Sequence, residues 1–142
     1  MEFLNYFEPE LTVESPGRIN IIGEHADYNM GYVLPTAIEK KITFKFQRNN
    51  SDRICNVYSM GYDTGFQIDL GKIAPSTIEW ENYILGVLNE ISIKTDKVRG
   101  FNCTIESHLT IGSGVSSSAA LECGLAYGLN ELFDLGLSKL EI

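Results

Sequence analysis

Gly100-Phe-Asn-Cys-Thr-Ile-Glu-Ser-His-Leu-Thr-Ile-Gly-Ser-Gly-Val-Ser-Ser-Ser-Ala-Ala-Leu-Glu122 joins an alternating run, a glycine–serine turn and the start of a helical run without interruption. From Gly100 to His108 the apolar residues Phe101, Cys103 and Ile105 fall on one face, the period of a strand. From about Ser117 to Phe133 the apolar residues Leu121, Leu125, Leu129, Leu132 and Phe133 recur at helical spacing. Gly124 and Gly128 lie four apart in that helix and leave a smooth strip for close packing.

Outward from this unit the pattern extends in both directions. Asn82 to Ile93 carries a helical stripe of Tyr83, Val87 and Ile91, flanked by Ile84, Leu85 and Leu88. Before it come strand candidates: Leu11–Ser15, Arg18–Ile22 beyond a Pro16-Gly17 interruption, Lys41–Gln47 with Ile42, Phe44 and Phe46 on one face, Ile54–Ser59, and Phe66–Leu70. Tyr32 to Pro35 is a short apolar piece, and Gly23 to Gly31 is a polar loop. Strands, helix, strand, helix describe an α+β layer fold, a mixed or antiparallel sheet packed on helices, rather than regular βαβ alternation.

Composition bounds what such a fold does. The 142 residues are 44% hydrophobic and 21% charged, with a net charge of -8, which excludes disorder and coiled coil and provides no basic footprint for nucleic acid or an anionic membrane. An anionic ligand must therefore be held by local geometry or a metal against the overall field. The three cysteines, Cys55, Cys103 and Cys123, form no C-x-x-C pair and read as small buried hydrophobes in a reducing compartment. The N-terminus lacks a basic signal region, and no apolar run approaches the ~18 residues that span a bilayer, so a soluble cytoplasmic protein is expected.

Three segments hold chemistry. Gly112, Ser113 and Gly114 precede Ser116, Ser117 and Ser118 at a helix start, where backbone N–H groups and hydroxyls meet an anion or a cation. The same segment reads as an ordinary turn with a serine N-cap. It fits neither a Walker loop nor a dinucleotide fingerprint nor an esterase elbow. Glu24, His25, Asp27 and Tyr28 crowd acceptors and donors into one loop, suited to sugar hydroxyls, to a metal, or to plain solvation. Arg18 begins the strand that leads into that loop, and His108 reads as a strand-end residue.

Together these segments are far more specific. Ser15-Pro-Gly-Arg-Ile-Asn-Ile-Ile-Gly-Glu-His-Ala-Asp-Tyr-Asn-Met-Gly-Tyr-Val-Leu-Pro35 resembles the galactokinase signature. Gly112-Ser-Gly-Val-Ser-Ser-Ser-Ala-Ala-Leu-Glu122 is similar to the phosphate loop of the same GHMP kinase superfamily, and Trp80-Glu-Asn-Tyr-Ile-Leu-Gly-Val87 to the galactokinase helix between them. One departure is Thr110, where the family usually has proline.

The resemblance implies a ribosomal protein S5 domain 2-like α+β fold, with residues 1–142 as the GHMP kinase N-terminal domain, a galactose-binding signature at about 10–38 and a phosphate loop at 110–120. It implies ATP-dependent phosphorylation of galactose at the anomeric hydroxyl, with magnesium. Arg18 matches the arginine that offsets charge at the reacting centre. Glu24, His25 and Asp27 match the residues that grip galactose. Gly112, Ser113, Gly114, Val115, Ser116, Ser117 and Ser118 match the nucleotide loop, Ser118 as the magnesium ligand, and Ser59 and Trp80 fall at nucleotide-pocket positions. Alternatives are a non-catalytic galactose and ATP sensor, a kinase of a related sugar such as N-acetylgalactosamine or arabinose, and a metal-binding hydrolase. Ser138-Lys-Leu-Glu141 fits a capping box with only Ile142 after it. The family's catalytic aspartate and second magnesium carboxylate fall beyond Ile142, so the chain is expected to be the N-terminal part of a longer kinase and to be inactive alone.

Overall fold

The computed structural model describes residues 1–23, 26–109 and 115–142, the side chain of Asp27 excepted. After a short 3-10 helix (Glu2–Tyr6) come β1 (Leu11–Ile22), β2 (Leu34–Arg48), β3 (Ile54–Ser59), β4 (Thr64–Asp69), α1 (Glu79–Lys94), β5 (Phe101–Ser107) and α2 (Ser117–Phe133), with a single 3-10 turn (Asp27–Asn29) between β1 and β2. The five strands form one mixed sheet in the order β1-β2-β5-β3-β4. Every neighbouring pair is antiparallel except β3 and β5, which run parallel. A parallel pair needs a crossover, and α1 lies within it.

The pleat sorts the sheet into rows. Leu11, Phe46, Cys103, Val57 and Phe66 stand in register across all five strands on the helix-covered face. One step along, Gln47, Asn102, Asn56 and Gln67 stand in register on the other face and join as an amide ladder. Asn102 Nδ2 donates to Gln47 Oε1 (3.3 Å), Asn56 Nδ2 to Asn102 Oδ1 (2.9 Å) and Gln67 Nε2 to Asn56 Oδ1 (3.2 Å). β5 is central, flanked by β2 and β3, and Asn102 and Thr104 on its other face are buried like Phe101, Cys103 and Ile105. The ladder supplies Asn102 with the partners that burial demands.

The core lies between the sheet and the two helices. Phe44, Phe46, Phe101, Ile84, Leu88, Leu125 and Leu129 are fully buried there, each contributing ~1.5–3 kcal/mol. The strip of small residues on α2 does what its spacing predicts. A Cβ on Gly124 would stand 2.3 Å from Phe44 Cε2, and one on Gly128 2.2 Å from Phe46 Cε2, so the helix backbone rests directly on two phenylalanine rings.

The structure corrects several boundaries. Leu11–Ser15 and Arg18–Ile22 are one strand, with a register shift between Pro16 and Arg18 in place of a break. β1 is an edge strand, where a proline's missing N–H costs no ladder bond. Of the Tyr32–Pro35 piece, Leu34 and Pro35 join the Lys41–Gln47 run in one long β2, while Tyr32 and Val33 precede it. β4 begins at Thr64, two residues before Phe66, and α1 begins at Glu79, three before Asn82. Cys55 and Cys103 are buried as expected, but Cys123 is exposed. It sits next to Gly124 in sequence yet about 100° around the helix from it, on the solvent side. Half of the Ser138 box forms: Ser138 N–H and Oγ both donate to Glu141 Oε2, at 3.0 and 2.8 Å, and hold the Glu141 carboxyl below its usual range, while the Glu141 N–H bonds the Ser138 carbonyl rather than its hydroxyl. Among the described residues no helix is long and apolar enough to cross a membrane.

Candidate functional site

The register shift in β1 aims the strand at the start of α2. Pro16 pairs with Lys41 and Arg18 with Ala37, so the residue between them leaves the ladder. There the Arg18 N–H donates to the Val115 carbonyl at 3.0 Å. Gly17 permits this approach. A Cβ on it would lie 2.6 Å from Leu109 Cδ2, 3.0 Å from Ile38 Cδ1 and 3.1 Å from the Val115 carbonyl oxygen. Leu109 and Val115 flank residues 110–114, so β1 touches both ends of the glycine–serine segment. The Arg18 side of that bulge is exposed.

Past Ile22 the chain turns at Gly23, whose φ of +95° belongs to glycine and whose Cβ would meet the Tyr32 carbonyl at 2.4 Å. Asp27 then opens the 3-10 turn to Asn29, with Ala26 N–H bonded to Gly23 C=O at 2.9 Å. Glu24 and His25 lie outside the described residues, as do Gly112, Ser113 and Gly114. For Asp27 only the backbone is described.

Ser116 is the N-cap of α2 and takes a left-handed conformation, φ 52° and ψ 47°, with no side-chain cap bond. A serine N-cap ordinarily spends its hydroxyl on the first helical N–H groups. Here the hydroxyl makes no such bond, and a non-glycine residue is held in a sparsely populated region, a combination met at ligand sites. The alternative reading, an ordinary turn with a serine cap, lacks its cap bond at Ser116, and the helix begins where the sequence places it.

Beside that helix start lies a cavity of about 280 Å³. Ser117 and Ser118, Ser59 and Trp80, named from three separate points along the sequence, all line it. Ser59 ends β3 and Trp80 opens α1, and the sheet order brings both next to the end of β5 that leads into α2. The walls are Ile42, Ile105, Leu121, Tyr62 and Tyr83, with Ser107 and Glu79 adding polar atoms. Sequence reasoning missed these seven as site residues. Tyr83 had a legible signal, one helical turn after Trp80. Tyr62, in the turn between β3 and β4, had none. An apolar slot with hydroxyls at its edge, adjoining a helix N-terminus, suits a flat base joined to an anionic chain.

His108 stands just past β5, with its N–H on the Lys41 carbonyl (3.0 Å) and Nε2 3.5 Å from Glu106 Oε1, both side chains exposed. It is a strand-end residue, as expected. Among the described residues no group of three or more His, Cys, Asp or Glu side chains is placed to hold a metal.

Comparison with known proteins fits this geometry. The galactokinase galactose-binding signature matches residues 1–48, and the GHMP kinase N-terminal domain matches residues 82–142. A galactokinase of Thermosipho africanus is 40% identical over 132 residues, which are 93% of this chain and 36% of that protein. One from Chloroflexus aggregans is 39% identical over 138 residues, 95% of this chain and 35% of that protein. The Lactococcus lactis galactokinase, solved with galactose, superposes with a TM-score of 0.87 at 33% identity, over 99% of this chain and 38% of that one. A mevalonate kinase at 22% identity and TM-score 0.73 shares the fold. The chain belongs to the GHMP kinases. Within that family its relatives are the galactokinases, and it spans about a third of their length, 34–36% in the first of them.

Proposed function

We propose that this chain supplies the galactose-gripping and triphosphate-holding part of a kinase that moves the γ-phosphoryl group of ATP to the anomeric hydroxyl of galactose, giving galactose 1-phosphate. The observation that carries the proposal is the bond between Arg18 N–H and the Val115 carbonyl. It ties the strand that runs into the sugar signature to the loop that opens α2, the two parts that must meet for a sugar hydroxyl to reach a phosphate.

The roles follow from family resemblance, and for Arg18, Ser59, Trp80 and Ser118 placement in the structure supports them as well. Phosphoryl transfer is mostly positioning and charge stabilisation. Glu24, His25 and Asp27 accept and donate hydrogen bonds to the sugar hydroxyls. Arg18, exposed on the bulge bonded to Val115, offsets negative charge at the reacting centre. Gly112 to Ser118 hold the phosphates with backbone N–H groups at the α2 N-terminus. Ser59 and Trp80 belong to the cavity that takes the base. The donor set at the start of α2 fits magnesium–phosphate chemistry: Ser118 lines the cavity, and Ser116 makes no side-chain cap bond. Magnesium bound there with the nucleotide neutralises charge on the phosphates. Free thiols and an acidic surface suit a cytoplasmic enzyme with neither nucleic acid nor membrane as partner.

The test is Asp27→Ala in a full-length protein carrying this chain. The galactose KM should rise about 5- to 150-fold, the equivalent of the ~1–3 kcal/mol lost when a polar partner is stranded, with the ATP KM unchanged. An unaltered galactose KM would remove Asp27 from the sugar site.

A further inference from the structure

Tyr62 sits at the mouth of the base cavity in a way that its own turn does not explain. Its ring stacks on Trp80, with centroids 5.6 Å apart and planes 19° from parallel. Phe66 closes the indole from another side, edge-on at 5.3 Å and 88°. Tyr62 is nevertheless 51% exposed and lies outside the hydrophobic core. The turn that presents it is fixed at both ends. Met60 N–H bonds the Ile105 carbonyl at 2.9 Å, and Asp63, in a left-handed conformation at φ 50°, accepts a hydrogen bond from Tyr58 Oη. A fixed turn that holds a half-exposed aromatic ring against one indole, at the rim of a cavity, gives that indole a defined orientation before any ligand arrives.

We propose that Tyr62 is a positioning residue for the nucleotide base, acting through Trp80: the Tyr62–Trp80 stack sets the aromatic wall against which a purine packs, and discrimination between bases runs through it. The inference rests on the reading of the cavity as the base site. Without the Tyr62 ring the indole loses its stacked aromatic neighbour and gains freedom to rotate. A base then pays the ordering entropy that the stack had already removed. Galactose, read by a different loop, is untouched.

Steady-state kinetics of the full-length protein carrying this chain test the proposal with Tyr62→Ala, Tyr62→Phe and Trp80→Ala. Tyr62→Ala should raise the ATP KM roughly 3- to 10-fold, the range an aromatic pair supplies, and narrow the preference for ATP over GTP, with kcat and the galactose KM unchanged. Tyr62→Phe keeps the ring and should restore the ATP KM. Trp80 is the single tryptophan of these 142 residues, and its emission, isolated as the difference from Trp80→Phe, should shift on Tyr62→Ala but not on Tyr62→Phe. An ATP KM unchanged by Tyr62→Ala but raised by Trp80→Ala overturns the role of Tyr62 and leaves the base site standing. An ATP KM unchanged by both overturns the base site as well. Equal rises in the ATP and galactose KM values, or a Tyr62→Phe variant no better than alanine, would also overturn the proposal.

Discussion

The backbone N–H of Arg18 donates to the carbonyl of Val115 over 3.0 Å, joining an edge strand to the residue that enters α2. The bond forms beside Gly17, the residue left out of the ladder where β1 shifts register, so the irregularity in the strand and its contact with Val115 occur at one place. Gly17 sits at its centre.

Gly17→Ala should therefore affect catalysis and stability together. The new Cβ presses on the ends of Leu109 and Ile38, which can move, and on the Val115 carbonyl, which moves only with the loop. We expect a stability loss of about 1–3 kcal/mol from overpacking and a raised ATP KM. Thermal denaturation and kinetics on the same variant check both.

The glycines of the two helices should respond in opposite directions. Gly124→Ala and Gly128→Ala drive a methyl into Phe44 and Phe46 and should each destabilise by about 1–3 kcal/mol or more. A Cβ on Gly86, inside α1, meets nothing within 4 Å, so Gly86→Ala should stabilise by about 0.5–1 kcal/mol through helix propensity. Denaturant titration of the three variants separates the cases, and a destabilised Gly86→Ala would contradict the packing described.

The thiols should divide by burial. Burial pushes the Cys55 thiol from 9.0 up to about 12, and pushes Cys103 up as well, whereas Cys123 is exposed. At about pH 8 a thiolate-selective reagent should modify Cys123 alone in the folded protein. A folded-state pKa raised above the unfolded one stabilises the fold fully below the unfolded value, and that contribution is lost as pH rises toward 12. Stability should therefore fall above about pH 9, less steeply in Cys55→Ala after allowing for its cavity. Mass spectrometry of the alkylated protein reads the first point, and denaturation against pH the second.

Ser118→Ala tests the phosphate side. Ser118 lines the cavity at the first turn of α2. Turnover should fall and the magnesium dependence should shift to higher concentration, with galactose affinity unchanged. An identical magnesium titration in variant and parent would remove the hydroxyl from the metal site.

Much of the fold was legible because the pleat and the helix impose periods that side chains must obey. Ile42, Phe44 and Phe46 announced β2, and Gly124 with Gly128 announced the surface that meets their rings. What was not legible depended on neighbours. Pro16-Gly17 looks like a strand break until β1 is known to be an edge. Cys123 looks like a core residue until the helix is wound. The cavity was half legible: Ser59, Trp80, Ser117 and Ser118 could be named from family resemblance. Tyr62 and Ser107 could not, since only the strand order brings the β3–β4 turn and the end of β5 to the same place.

The measurement that bears most directly on the account is the fate of the γ-phosphoryl group, followed by phosphorus NMR with magnesium, ATP and a panel of sugars, in a full-length protein carrying this chain and in its Arg18→Ala variant. The account predicts galactose 1-phosphate as the product, formed only with galactose present, and a rate reduced about 10²-fold or more without the guanidinium that offsets charge at the reacting centre. Galactose bound without any ATP consumed, phosphate appearing only on a different sugar, or an Arg18→Ala variant as fast as the parent would contradict it.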